Sequence, residues 1–203
     1  MTANAFPDYR PKAVTGMAFG TLMLTLFGCL WLAMGFQAMN LHSAWLTVLL
    51  VLFAASLLVP CAGMFRIGRQ AEKYAGPLSP EQGRDQKRMG SSFGLVFTAE
   101  GVLILLAVNV LNNLHLEHYV ISAIAAIVGL HFVPLARLYR VGMYYTVGSV
   151  MTVAAILSLA VPSPLRESSL ALTMGTILWM TCAALIQRGL RLGRATLADH
   201  VHA

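Results

Sequence analysis

Glu100, in F-T-A-E-G, and His131, in G-L-H-F-V-P-L-A-R-L-Y-R, are ionisable residues set inside long apolar runs. An ionisable group in hydrocarbon costs at least ~2.5–3.5 kcal/mol on insertion scales, so it normally faces a bundle interior and finds a partner there. Counted at 1.5 Å per helical residue, both lie about 11–14 Å from the basic ends of their segments, and residues at equal depth in an antiparallel hairpin can touch. A carboxylate beside an imidazole can exchange a proton, because burial and pairing act on each group in opposite senses and leave either able to change charge near neutral pH. The same two groups can instead form a fixed polar clasp between helices.

Other polar residues offer weaker chemistry. Arg137, six residues after His131, lies nearer the basic mouth, where it can attract an anion or snorkel to headgroups. Asn109, Asn112 and Asn113 stand toward the opposite end of the segment that carries Glu100, as a polar entrance or as donors between helices. His42, His115 and His118, with Glu117, come from two short loops and have the side chains that hold transition metals. No established ligand spacing accompanies them, so no metal and no other cofactor is expected. Cys29, Cys61 and Cys182 lack C-x-x-C spacing and read as buried free thiols. A haem would need a second axial histidine at the depth of His131, and none is present there. The chain has no Gly-rich phosphate loop, no G-x-S-x-G and no H-E-x-x-H, so no catalytic residue is assigned.

The elements that must position Glu100 and His131 follow from composition. The 203 residues are 58% hydrophobic and 11% charged, against about 25% charged in soluble domains. The chain is therefore expected to be an all-α integral membrane domain spanning residues 1–203. Six segments approach the ~20 apolar residues that a crossing requires: about 13–37, 43–65, 91–112, 119–138, 142–161 and 168–187. The first lacks a small-residue cleavage site and reads as a retained helix. Of 14 lysines and arginines, Arg166 alone falls on the side opposite the others. Positive loops stay cytoplasmic, which places both termini in the cytoplasm. The net charge of +6 is spread over every basic connection, which excludes a nucleic-acid interface and points to anionic lipid headgroups.

The six segments pair into three hairpins, about 13–66, 91–140 and 142–191, with a cytoplasmic loop at 67–90. The first two are related by a parallel repeat: V-P-C-A-G-M-F-R-I-G from Val59 matches V-P-L-A-R-L-Y-R-V-G from Val133, an offset of 74 residues. The same offset aligns G-M-A-F-G at Gly16–Gly20 with G-S-S-F-G at Gly90–Gly94. Arg191-Leu192-Gly193 is a shorter echo in the third hairpin. The G-x-x-x-G stripes are expected to let helices within the bundle approach closely, in preference to a contact between copies. Glu100 and His131 replace Leu26 and Leu57 of the first copy, so polarity is confined to the second hairpin. In the loop, Ser79-Pro80-Glu81-Gln82 reads as a helix start leading toward the third segment, weakened by Gly83.

With E-G in one segment and H-F-V-P-L-A-R-L-Y-R in the next, the chain resembles a group of small six-helix bacterial integral membrane proteins of unassigned function. The resemblance covers chiefly residues 90–150 and implies that Glu100, Gly101, His131, Pro134 and Ala136 match a family pattern, in a bacterial cytoplasmic membrane. It carries no activity over. Three functions are compatible with the residues: a permease-like or proton-linked transporter of a small solute, an accessory membrane subunit, or a lipid- or quinone-binding membrane enzyme. Transport ranks first because no nucleophile or metal signature supports the enzyme. Membrane lipids and the solute are the expected partners, and a homo-oligomer is compatible with a bundle of this size.

Overall fold

Hydrocarbon offers the backbone neither donors nor acceptors, so a chain this apolar must satisfy its amides within helices. The computed structural model describes residues 11–40, 44–74, 80–139, 141–163 and 165–201, and the described chain is helical with no strand. Its helices are α1 (Pro11–Ala38), α2 (Ala44–Tyr74), α3 (Pro80–Asn113), α4 (Val120–Tyr139), α5 (Met143–Ser158) and α6 (Leu165–Val201), with a 3-10 turn at Glu117–Tyr119 before α4. Five contain stretches long and apolar enough to cross a membrane: Gly16–Ala38, Leu46–Gln70, Lys87–Asn113, Glu117–Tyr139 and Leu165–Arg191. The sixth, α5, has 16 residues and rises only about 24 Å. It stops short of the expected position 161: the N–H groups of Leu159, Ala160 and Val161 donate to the carbonyls three residues back, in tightened turns before Pro162.

Within the connection expected at 67–90, α2 continues to Tyr74 and α3 begins at Pro80. Arginine, lysine, glutamine and glutamate are good helix formers, so a helix outlasts the apolar run that marks its passage through lipid. Proline is well suited to the first helical position, where its missing N–H costs nothing. The helix start expected at Pro80, leading toward the third segment, is the first part of α3. Ser79, and the side chains of Glu81 and Gln82, lie outside the described residues.

Packing divides the chain into two units, Met1–Cys29 with Ala44–Pro77 and Leu178–Ala203, and Leu30–Ser43 with Leu78–Ile177. In the first, α1 runs antiparallel to α2 and α6 and is tied to both by buried polar atoms. Thr21 and Thr25 sit one turn apart with no exposed surface. Thr21 Oγ1 lies 3.2 Å from the Cys61 thiol, and Thr25 Oγ1 lies 3.1 Å from that of Cys182. The Cys61 thiol also donates to the Ala18 carbonyl at 3.1 Å. Trp179 Nε1 donates to the Thr25 carbonyl at 3.2 Å, and its ring stacks on Phe53 with centroids 4.5 Å apart.

In the second unit, α4 and α5 form a close antiparallel pair. A Cβ added to Gly129 would stand 2.8 Å from the Thr152 backbone nitrogen, and one added to Gly148 would stand 2.6 Å from the Gly129 carbonyl oxygen. The pair is closed at one end by Ser122 and Ser158, whose hydroxyls are 2.9 Å apart, and at the other by the rings of Phe132 and Tyr144, 5.8 Å apart. Short as it is, α5 therefore accompanies α4 along most of its length. Helix α3 packs on α4, yet no residue from Lys87 to Asn113 is buried.

The G-x-x-x-G expectation is corrected. A Cβ at Gly16, Gly20, Gly90 or Gly94 would meet nothing within 4 Å, whereas the close approaches occur at Gly28, Gly35, Gly129, Gly148 and Gly189. Spacing shows that a helix has a small-residue stripe; it does not show on which side the neighbour stands.

Arg166, the basic residue set apart from the rest, is only 7% exposed. Its Nε donates to the carbonyls of Ser158 (3.2 Å) and Val161 (2.9 Å), and an η nitrogen donates to the His118 carbonyl (3.2 Å). The guanidinium also lies 4.8 Å from the centre of the Tyr119 ring. It adds donors to carbonyls at and just beyond the end of α5 and ties that end to the turn before α4.

Two outcomes follow for thermal unfolding in detergent. Gly148→Ala lowers stability by about 1–3 kcal/mol through overpacking, while Gly94→Ala leaves it unchanged or raises it by up to ~1 kcal/mol through helix propensity; equal effects would contradict the α4–α5 contact. Arg166→Ala costs about 1–3 kcal/mol by removing the buried guanidinium's hydrogen bonds to three carbonyls, and Arg166→Lys recovers only part of this because an ammonium lacks the planar fork. A lysine variant as stable as the wild type would contradict that geometry.

Candidate functional site

The contact between α3 and α4 is where Glu100 and His131 meet. Glu100 lies within the apolar stretch of α3, and His131 lies two residues beyond the Gly129 crossing on α4. His131 Nδ1 is 3.2 Å from Glu100 Oε2, with side-chain exposures of 10% and 14%. Nδ1 is buried and completes no hydrogen bond. The two groups are thus within ion-pair distance, but the ring nitrogen's geometry toward the carboxylate is not that of an aligned hydrogen bond. Proximity in a low-dielectric setting makes the charge on each sensitive to the proton on the other.

Phe132 stands edge-on to the His131 ring, with centroids 6.0 Å apart at 89°. Further toward the basic end, Phe93 of α3 meets Tyr139 of α4 edge-on at 6.3 Å, and Tyr139 meets Tyr144 of α5 at 6.4 Å. These rings bind three helices together on one side of the pair. They were not singled out from the sequence, where the available signal was only the spacing of Phe93 and Phe97 by one helical turn and the density of tyrosines from Tyr139 to Tyr145.

The other expected site residues fall elsewhere. Asn109 is exposed, and its side-chain amide donates to the Leu105 carbonyl of its own helix at 2.7 Å. Nine residues from Glu100, it lies about 13 Å along α3 and about 180° around it. Arg137 is exposed in the last turn of α4, about 9 Å from His131 along the axis and about 120° around it. Of the four residues proposed from sequence, the structure brings together Glu100 and His131.

His42 lies outside the described residues. His115 Nδ1 and Glu117 Oε1 are 3.9 Å apart, and both side chains are exposed. The His118 ring lies 4.0 Å from that of Tyr119. Among the described residues no group of three or more His, Cys, Asp or Glu is placed to hold a metal. His115 instead ends α3: at φ 56° it occupies the left-handed position of a Schellman turn. Its N–H donates to the Asn112 carbonyl, and that of Leu116 donates to the Leu111 carbonyl.

The chain matches no protein-family model, no curated protein and no solved structure.

A double-mutant cycle reads the coupling of the pair. Glu100→Leu or His131→Leu alone is expected to cost about 3–5 kcal/mol by leaving one ionisable group buried without its partner, and the double variant should recover much of that loss. Strictly additive losses in thermal unfolding would mean that the two side chains do not interact.

Proposed function

We propose that this chain is a small permease-like or proton-linked transporter of a small solute, with Glu100 and His131 as its proton-exchanging centre. The observation that carries this is the 3.2 Å approach of His131 Nδ1 to Glu100 Oε2, within apolar stretches of two helices. Intramembrane ionisable residues are costly, and their recurrent uses are ion pathways and proton relays. A ring nitrogen that is buried near an acid yet lacks a completed hydrogen bond is poised to take or lose a proton without dismantling a network. In this proposal the basic ends of the helices face the cytoplasm of a bacterial cell, both termini lie there, and α1–α2 and α3–α4 descend from one duplicated hairpin whose second copy gained the pair.

A second function, an accessory subunit in which the pair is a static clasp, is favoured by one observation: α3 has no buried residue across its span, so a polar contact is what a helix so placed needs to stay attached to α4. Flux and attachment separate experimentally. In liposomes containing an entrapped pH dye, a pH step and a panel of small metabolites should elicit solute-dependent proton movement from the wild type. Glu100→Gln should abolish it while the protein stays folded. Proton movement unchanged by Glu100→Gln, or by the double leucine variant, would assign the pair to the clasp.

A further inference from the structure

The first packing unit contains a groove of about 350 Å³ between the start of the α1 span and the end of the α2 span. Ala18 and Cys61, both buried, form its floor, and Leu22 and Leu58 form its walls. The polar atoms of the floor are internally satisfied, since the Cys61 thiol is already engaged by the Ala18 carbonyl and the Thr21 hydroxyl. At its other end stand Phe65, Arg66 and Arg69. The Arg69 guanidinium, exposed at the surface, lies 5.3 Å from the centre of the Phe65 ring, a cation–π contact with the lining of the groove.

We infer that this groove binds one anionic phospholipid, its phosphate held by Arg66 and Arg69 and one acyl chain lying along the cleft between α1 and α2. Length supports the assignment: Leu58 to Arg69 spans about 16 Å along the helix, close to half of a ~30 Å hydrocarbon core, so the cleft matches one leaflet. Polarity supports it as well, because aliphatic lining changes to paired guanidinium groups where the span ends, in the order of tail and headgroup. Charge selects the class: two arginines one turn apart, with no acidic residue lining the groove among the described residues, favour an anionic head over a zwitterionic one. A free inorganic anion would leave the apolar length unused. The groove belongs to a different unit from the Glu100–His131 pair, so the inference stands apart from the transport proposal.

The test is native mass spectrometry of the full-length protein from mild detergent, offered equal phosphatidylglycerol and phosphatidylcholine of the same chain length. The wild type should retain one phosphatidylglycerol with at least tenfold preference. The double variant R66Q/R69Q should lose the preference, and Ala62→Phe, which fills the groove and leaves both arginines in the chain, should lose the bound lipid. Helix content by circular dichroism checks that the variants fold, and the head-to-head competition on wild type stands without them. Equal retention of the two lipids, or retention unchanged in both variants, would overturn the proposal. So would a dimer that forms in place of lipid binding and is broken by Ala62→Phe, since the groove would then hold a second copy.

Discussion

Helices in lipid gain little by hiding apolar surface from one another, since the tails around them are as apolar as their own side chains. What holds them is close contact at small residues and polar atoms that have no water to turn to. Both units of this protein depend on that constraint. In one, a pair of threonines on α1 meets a thiol from each of two neighbours. In the other, two glycines bring α4 and α5 into backbone contact, and hydroxyls and aromatic rings close the ends. Glu100 and His131 obey the same rule with charge-bearing groups, which is why one contact serves attachment and chemistry alike.

That constraint also explains what the sequence could disclose. Apolar length is written locally, so the five long spans and the paired depth of Glu100 and His131 were legible from one chain. Helix ends were not, because hydropathy records where lipid stops and not where the backbone leaves its helix; α2 and α3 run well past their apolar runs. Partnership was legible only for residues whose cost demands a partner. Glutamate and histidine demand one, whereas Gly16 and Gly90 do not, and their stripes face open space. Cys61 and Cys182 were read as passive thiols, because nothing in their spacing shows that two threonines on another helix stand opposite them. Arg166 stood out as the one basic residue on its side, yet its role required knowing that the end of α5 and the turn before α4 come together around it.

The site residues divide along the same line. Glu100 and His131 were found by depth, a one-dimensional quantity that sequence preserves. Asn109 and Arg137 were nominated by type, and the angular position that turns them from the pair is a consequence of helix phase. The aromatic contacts among Phe93, Tyr139 and Tyr144 depend on three helices at once, and no local pattern encodes such a meeting.

The unburied span of α3 has a mechanical consequence. A helix wedged among neighbours takes its tilt from them, but one that shows so much of its circumference to its surroundings takes it in part from the thickness of the bilayer. Glu100 rides on that helix, while His131 rides on one locked to α5 by the Gly129–Gly148 crossing. A membrane whose thickness changed the tilt of α3 would therefore move Glu100 against a histidine held by the α4–α5 crossing.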